Sequence, residues 1–288
     1  MTLPNFIIGG APKTGTTSIY HYLRQHPDIY MPADRKEPHY FTHACHEPVS
    51  WYEAFFEAAR GEKAIGEAST WYMSDNEAPG RIAALLPDVR MIFLLRQPAE
   101  RAYSHYWYRV ARSTHVAATS FSDAIRSNDF DAKAYVGSSL YADHLKRWVE
   151  VFGRERVLVL LQDDLNADTQ GVLRRIYEYL DVDPSFQADT QRRHNVTYYP
   201  KNMHLFRAVI GLYEPVERLM ERGPLRRAWS STRRLRQIGR DMLYTRDRKR
   251  PPEPMSESDR AYLRELFLPQ IEWVEEFLQR DLTAWKEY

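Results

Sequence analysis

The hydrophobic pattern of the first two thirds of the chain predicts strands that alternate with helices. Four short apolar runs are typical of buried strands, at residues 6–8, 64–69, 89–95 and 156–161. The run at 89–95 (VRMIFLL) is nearly continuous, as expected of a parallel strand that is buried on both faces. Segments with a helical pattern lie between and after these runs, at residues 49–59, 76–86, 98–112, 138–152 and 169–180. We therefore predict an α/β fold of three layers, with helices flanking a central parallel sheet.

The pattern changes after residue 201, where the chain is predicted to be mostly helical and to end in the amphipathic segment 256–280. A chain of 288 residues can form one large α/β domain with a substantial core. No clean linker separates the two parts. We predict a single domain over residues 1–288, with an α/β core at about 1–200 and a helical part at about 201–288.

The composition is that of an ordinary globular protein, with 43% hydrophobic and 27% charged residues. Cys45 is the only cysteine, which excludes an intrachain disulfide and favours a reducing compartment. No apolar run approaches the length of a transmembrane helix, and no signal peptide precedes the first strand. These observations predict a cytoplasmic protein without a transmembrane segment.

The charge is unevenly distributed along the chain. The formal net charge is +1, but residues 217–250 contain 12 Lys and Arg against 4 Asp and Glu. Such asymmetry favours an anionic partner, such as an acidic carrier protein, an anionic lipid surface or an anionic substrate. A solvated helix face explains the same basic tract equally well. No nucleic-acid-reading motif accompanies the tract, so we expect no nucleic acid partner.

The segment NFIIGGAPKTGTTS, Asn5–Ser18, predicts an anion-binding site. An apolar strand leads into a glycine-containing loop, and a helix begins near Thr16. Backbone N–H groups and the dipole of that helix would converge on one place. Lys13 adds a positive charge, and hydroxyl groups follow at Thr14, Thr16, Thr17 and Ser18. The alternative is a tight strand-to-helix turn that binds nothing.

The spacing of this loop differs from that of a nucleoside triphosphate site. A Walker A loop has the pattern G-x-x-x-x-G-K-[ST], whose lysine reaches the β- and γ-phosphates. Gly10 and Gly15 keep the glycine spacing, but Thr16 occupies the lysine position, and the lysine lies earlier, at Lys13. The loop therefore favours a shorter 5′ anion. A P-loop kinase or NTPase remains the alternative class of enzyme.

The sequence PKTGTTS resembles the 5′-phosphosulfate loop of sulfotransferases that use 3′-phosphoadenosine-5′-phosphosulfate (PAPS). The resemblance implies that the 5′-phosphosulfate is held by Lys13, Thr14, Gly15, Thr16, Thr17 and Ser18. A second segment, RQPAERAYS, resembles the 3′-phosphate motif R-x-P-x-x-R-x-x-S of the same family. It implies that Arg96, at the end of the strongest strand, and Ser104, about two turns into the next helix, bind the 3′-phosphate. Two anion sites of different design suit a nucleotide that is phosphorylated at both ends.

The segment KEPHYF supplies a candidate base. In an extended strand, alternation would put Glu37 and His39 on one face, with Pro38 fixing the backbone between them. A carboxylate near an imidazole can act as a general base. The similar E-x-H-F-F segment of heparan sulfate sulfotransferases implies that Glu37 is the catalytic base and that His39 supports it or acts itself. Many of those relatives follow with an aspartate where this chain has Thr42, so the hydrogen-bond support of the base stays open. A solvated glutamate and a core histidine are the alternative.

Three further segments resemble the same family. GEASTWY (Gly66–Tyr72) matches its E-x-S-P-x-Y region, with Thr70 in place of the usual proline and Ala68 where heparan-type members often carry a lysine. RRHNVTYYPKN (192–202) matches a region that folds over the nucleotide, which implies contacts to the 3′-phosphate from Arg193, Tyr199 and Lys201. The ending RDLTAWKEY resembles the family's R-D-L-x-x-W. The resemblance therefore extends across nearly the whole chain.

Together these residues predict a PAPS-dependent sulfotransferase whose second product is 3′-phosphoadenosine-5′-phosphate (PAP). Glu37 would take a proton from a hydroxyl, or less often an amine, of a carbohydrate, a lipid or another small or carrier-bound acceptor. Lys13 would stabilise the departing phosphate. Arg35 and Lys36 either face an anionic acceptor or are surface charges. No His, Cys and Asp cluster has metal-ligand spacing, so we expect no metal. A non-catalytic PAP-binding module is a further alternative.

Overall fold

A parallel sheet of five strands organises the described part of the chain. The computed structural model describes residues 2–110, 120–127, 134–191, 199–200, 244–245 and 253–287. The strands of this sheet are β1 (Phe6–Gly10), β2 (Ile29–Tyr30), β3 (Ala64–Glu67), β4 (Arg90–Leu95) and β5 (Val157–Leu161). They lie in the order β2–β3–β1–β4–β5, and every neighbouring pair is parallel. Since all strands point the same way, their carboxyl ends meet at one edge of the sheet, which is where such sheets bind ligands.

Helices connect these strands as the sequence pattern predicts. The α-helices of the described ranges are α1 (Thr16–Leu23), α2 (Val49–Glu53), α3 (Ala78–Leu85), α4 (Pro98–Val110), α5 (Phe121–Arg126), α6 (Tyr141–Phe152), α7 (Gln162–Ala167), α8 (Thr169–Tyr179), α9 (Glu257–Leu278) and α10 (Thr283–Lys286). Short 3₁₀ turns lie at Ala54–Phe56, Tyr72–Ser74, Gly137–Ser139 and Arg154–Arg156. The predicted fold class, a central parallel sheet flanked by helices with a helical C-terminal region, is confirmed.

Helices cover both faces of the sheet. Leu94 of β4 belongs to a buried cluster with Ile19 of α1 and Ile176 of α8. Alternation along the strand turns Phe93 to the opposite face. There its ring lies 5.2 Å from that of Trp148 in α6. The helices α1 and α8 therefore form one outer layer, and α6 belongs to the other.

Several elements end earlier than the sequence pattern predicts. The helix predicted at 49–59 ends as an α-helix at Glu53 and continues as the 3₁₀ turn Ala54–Phe56. The strand predicted at 64–69 ends at Glu67, so residues 68–70 lie in the loop beyond it. The amphipathic segment predicted at 256–280 is the helix α9. Most of the helical region predicted between residues 202 and 255 lies outside the described residues.

The chain divides into two compact units. The first comprises Met1–Arg101, Val136–Asn195 and Leu263–Tyr288, and it contains the parallel sheet. The second comprises Ala102–Tyr135 and Val196–Tyr262, and it contains the antiparallel pair of β6 (Tyr199–Pro200) and β7 (Tyr244–Thr245). The single domain predicted from the sequence stays a prediction. Among the helices of the described ranges, none is long and apolar enough to cross a bilayer.

Candidate functional site

The loop between β1 and α1 is fixed by hydrogen bonds and by close packing. The Ala11 N–H donates to the Leu94 carbonyl of β4 at 3.0 Å. Thr14 is fully buried, and its hydroxyl donates to the Ala11 carbonyl at 2.7 Å. Gly15 has a φ of 107°, which glycine adopts without strain, and a β-carbon there would lie 3.0 Å from the Leu165 side chain. The course of the loop into α1 therefore depends on this glycine.

The N-terminus of α1 lies directly after this loop. The first N–H groups of a helix and its dipole favour an anion. Lys13 is half-buried and has a φ of 73°, and left-handed residues in a loop help to turn successive N–H groups toward one concavity. Thr17 and Ser18 are half-buried in the first turn of α1, whereas Thr14 and Thr16 are buried. The hydroxyls of Thr17 and Ser18 are therefore more accessible to a ligand than those of the two buried threonines.

The carboxylate of Glu37 lies beside α1 and is held by three side chains. Lys36 Nζ lies 2.8 Å from Glu37 Oε1 and 3.1 Å from the Thr17 hydroxyl oxygen. His39 Nε2 lies 3.1 Å from Glu37 Oε2. The Thr70 hydroxyl donates to Glu37 Oε1 at 3.3 Å. Lys36 therefore joins the helix that follows the loop to the candidate base.

The carboxylate of Glu37 and the imidazole of His39 are close together, as predicted, but the predicted cause, the alternation of side chains along a strand, is wrong. No strand covers the described residues 36–39, and His39 has a φ of 55°, in the left-handed region. The segment instead lies beside the loop that continues from the end of β3. The Ala68 N–H donates to the Lys36 carbonyl at 3.1 Å, and the His39 N–H donates to the Ser69 hydroxyl oxygen at 3.0 Å. An irregular segment fastened to the loop after β3 thus brings the two side chains together.

Two carboxyl groups at this end of the sheet have opposite pKa shifts. Burial alone would raise the pKa of Glu37, but the hydrogen bond from His39 and the charge of Lys36 lower it to about 2. Glu67, at the end of β3, is fully buried, and burial raises its pKa to about 8 despite hydrogen bonds from neighbouring hydroxyls. At neutral pH, Glu37 is therefore ionised and Glu67 is mostly protonated. Only Glu37 is in the state that a general base requires.

Replacing Glu67 with glutamine should stabilise the protein at alkaline pH. A glutamate in the unfolded chain has a pKa of about 4.3, whereas that of Glu67 in the folded protein is about 8. Unfolding therefore releases a proton between these values, and stability falls as the pH rises through this window. Glutamine is neutral at every pH, so the stability of the variant does not fall with pH for this reason.

Urea denaturation at two pH values measures this effect. We expect the free energy of unfolding of Glu67→Gln to exceed that of the wild type by on the order of 3 kcal/mol at pH 8 and to be about equal near pH 4. Glu57→Gln is the control, because Glu57 is exposed. A difference between Glu67→Gln and the wild type that does not vary with pH would contradict a protonated Glu67.

Arg96 lies directly after β4, where the sequence places the arginine of the 3′-phosphate motif. Its guanidinium donates to Glu100 Oε2 from Nη2 at 2.9 Å and from Nε at 3.2 Å. Ser104 lies in α4 with a half-buried side chain. Arg96 belongs to the first compact unit and Ser104 to the second. An arginine at the carboxyl end of a strand can donate a fork of two N–H bonds to a phosphate.

Sequence reasoning missed two partners of the candidate base. The sequence alone does not decide whether Lys36 faces an anionic acceptor or is a surface charge. Its contact with Glu37 places it in the candidate site. Thr70 supplies a hydroxyl that the proline of the similar family segment cannot supply, and this departure from the motif was the available signal. Thr42, where relatives have an aspartate, donates instead to the His39 carbonyl at 3.3 Å. Among these three side chains, Lys36 and Thr70 contact the carboxylate of the candidate base.

Some predicted contacts lie outside the described residues. Arg193 and Lys201 do so, and only the backbone of Tyr199 is described, in β6. The basic tract 217–250 lies outside them as well, apart from the backbone of 244–245. In the ranges that the structure covers, no group of three or more His, Cys, Asp and Glu side chains is arranged to hold a metal ion.

A family model and a crystal structure identify the family of this chain. The model described as "Sulfotransferase domain" matches residues 3–209, so the chain belongs to the sulfotransferase family. A sulfotransferase from Alicyclobacillus acidocaldarius is similar in structure, with a TM-score of 0.72 and 25% identity, covering 99% of this chain and 100% of that chain. The predicted family is therefore confirmed.

Two curated mouse proteins are similar to this chain in sequence. The first, bifunctional heparan sulfate N-deacetylase/N-sulfotransferase 4, is 31% identical over 201 residues, covering 64% of this chain and 23% of that protein. The second, heparan sulfate glucosamine 3-O-sulfotransferase 3B1, is 30% identical over 181 residues, covering 62% of this chain and 46% of that protein. This chain therefore matches less than half the length of either relative.

Proposed function

We propose that this chain transfers a sulfuryl group from PAPS to an acceptor hydroxyl, with Glu37 as the general base. The observation that carries the proposal is the contact of Lys36 with both the Thr17 hydroxyl and Glu37, at 3.1 and 2.8 Å. This contact holds the Glu37 carboxylate beside the helix whose N-terminus would hold the phosphosulfate. Donor, acceptor and base can then share one site, which is what in-line transfer requires.

The donor is held at its two charged ends. Lys13 and the loop of residues 14–18 bind the 5′-phosphosulfate, with the Thr17 and Ser18 hydroxyls adding hydrogen bonds. Arg96 binds the 3′-phosphate, and Ser104 is its predicted second contact. The contacts to the same phosphate from Arg193, Tyr199 and Lys201 stay predictions. The two ends together distinguish PAPS from nucleotides that lack a 3′-phosphate.

The transfer step uses the ionised carboxylate of Glu37. It takes the proton of the acceptor hydroxyl while the acceptor oxygen attacks sulfur and forms a new S–O bond. The bond between sulfur and the 5′-phosphate oxygen breaks in line, and its electron pair stays on PAP. Lys13 stabilises the negative charge that grows on that phosphate, and His39 positions the carboxylate through their hydrogen bond. Fixed cations thus do here what magnesium does in kinases, and we expect no metal.

The acceptor belongs to a broad class. We propose a hydroxyl, and less often an amine, of a carbohydrate, a lipid or another small or carrier-bound molecule. The names of the curated relatives, which act on heparan sulfate, support a carbohydrate. An acidic partner or an anionic surface at the basic tract 217–250 and a cytoplasmic location stay predictions.

Thermal stabilisation by nucleotides tests the donor. PAP should raise the melting temperature, whereas adenosine 5′-phosphosulfate, which lacks the 3′-phosphate, and ATP with Mg²⁺ should raise it much less. Arg96→Ala should weaken PAP binding by about 10–100-fold, because it removes a charge-assisted fork. Arg90→Ala is the matched control, since Arg90 lies at the opposite end of β4 and pairs with Asp181 at 2.5 Å. It should keep the stabilisation by PAP.

Other outcomes point to the alternatives. Stabilisation by ATP with Mg²⁺ and none by PAP would favour a P-loop kinase or NTPase. Stabilisation by PAP, without labelling of any acceptor from radioactive PAPS, would favour a non-catalytic PAP-binding module. An equal loss of the PAP effect in both arginine variants would remove the role assigned to Arg96.

A further inference from the structure

The turn between β4 and α4 is fixed by buried hydrogen bonds. Tyr141 is fully buried at the start of α6, and its hydroxyl donates to the Arg96 carbonyl at 2.9 Å. The Ser139 hydroxyl donates to the Pro98 carbonyl at 3.0 Å. Between them, Gln97 is only 6% exposed, and its amide oxygen accepts from an N–H in the first turn of α4 at 2.6 Å. The backbone that carries Arg96 therefore has little freedom.

The same turn is tied to the segment that contains α10. Gln97 Nε2 donates to the Trp285 carbonyl at 3.2 Å, and the Trp285 indole N–H donates to Asp163 Oδ2 at 2.7 Å. Arg280 Nη2 donates to Asp164 Oδ1 at 2.6 Å. Both aspartates lie at the start of α7, directly after β5. The motif RDLTAWKEY thus fastens the turn after β4 to the end of β5.

The side chain of Arg96 has a different environment from its backbone. It is 24% exposed, and its partner Glu100 is 60% exposed. An exposed ion pair of this kind constrains a side chain only weakly. The direction of the guanidinium therefore depends mainly on the turn, which Tyr141 and Gln97 hold in place.

We propose that Tyr141 and the Gln97–Trp285 pair are positioning residues for Arg96, and that they set the preference for a nucleotide with a 3′-phosphate. The inference rests on the proposed function, in which Arg96 binds that phosphate. A guanidinium can form two parallel N–H···O hydrogen bonds with phosphate oxygens. Such a contact needs the guanidinium to be oriented correctly to within about 10–20°. When the turn relaxes, the guanidinium tilts and one of the two bonds is lost.

The test compares the affinities for PAP and for AMP, which differ only in the 3′-phosphate. Tyr141→Phe removes one hydroxyl, and Gln97→Met removes the amide at a similar side-chain length. By isothermal titration calorimetry, each variant should lower the preference for PAP over AMP about tenfold and leave the affinity for AMP unchanged. Tyr177→Phe is the matched control, because the buried Tyr177 hydroxyl in α8 has no hydrogen-bond partner among the described residues. It should keep the wild-type preference.

Melting temperatures and double variants separate positioning from folding. A variant that lowers the melting temperature but keeps the wild-type preference for PAP over AMP would overturn the proposal, because the role of the replaced residue would then be structural only. In an Arg96→Ala background, Tyr141→Phe should lower the preference no further, and a second tenfold loss would also overturn the proposal. A wild-type protein without any preference for PAP over AMP contradicts the proposed function itself. A wild-type preference that survives in both variants contradicts only this inference.

Discussion

Replacing Glu37 with glutamine should lower the rate of sulfuryl transfer by about 10²–10⁴-fold and change the affinity for PAP by less than about twofold. Glutamine keeps the size of the side chain and can still contact Lys36 and Thr70. It cannot accept the proton of the acceptor hydroxyl, so the attacking oxygen stays a poor nucleophile. Since Glu37 is not assigned to the nucleotide, the binding of PAP should be almost unaffected.

Initial rates with radiolabelled PAPS and saturating acceptor measure the loss of transfer, and calorimetry measures the affinity for PAP. Glu57→Gln makes the same change at an exposed position and should be fully active. If Glu37→Gln transfers sulfate at the wild-type rate, the assignment of the base is wrong. If it loses PAP affinity as strongly as activity, the carboxylate instead shapes the nucleotide site.

Replacing Lys13 with alanine should lower turnover by about 10²–10³-fold and weaken the binding of PAP by about tenfold at most. The negative charge on the bridging oxygen grows as the bond to sulfur breaks. A nearby ammonium therefore stabilises the transition state more than it stabilises bound nucleotide. The predicted signature is a fall in kcat that exceeds the loss of binding.

The control for this variant is Lys63→Ala, which removes an exposed ammonium that donates to the Asp181 carbonyl. Both variants are compared in single-turnover assays, so that chemistry is separated from the release of PAP. Equal losses of turnover and PAP affinity in Lys13→Ala would reduce Lys13 to a binding residue and remove its role in the transition state.

The sheet and the positions of Lys13 and Arg96 at its edge could be predicted because their signals are local. The strand β4 lies within the run predicted at 89–95, since a strand that is buried on both faces needs apolar residues throughout. Lys13 and Arg96 each follow a strand of the sheet within a few residues. Because parallel strands end at one edge, the chain order alone puts both residues at the same edge of the sheet.

The hydrogen bonds that hold the candidate base Glu37 and its neighbour His39 could not be predicted, because they join residues that are distant in the chain. Ser69, which accepts from the His39 N–H, lies 30 residues away, and Thr70 lies 33 residues from Glu37. These contacts depend on how the segment packs against the loop after β3, which no local pattern encodes. Strand alternation correctly predicted that His39 is a neighbour of Glu37, but the two residues do not lie in a strand.

The irregular segment 36–39 has a consequence for the energetics of binding. It has no regular secondary structure, yet it is bonded to the loop after β3 and to α1. Ordering such a segment at the moment of binding would cost about 1–2 kcal/mol of conformational entropy per residue. Here hydrogen bonds within the protein already fix the segment. A base at Glu37 would therefore be preorganised, and less of the acceptor's binding energy would be needed to assemble the site.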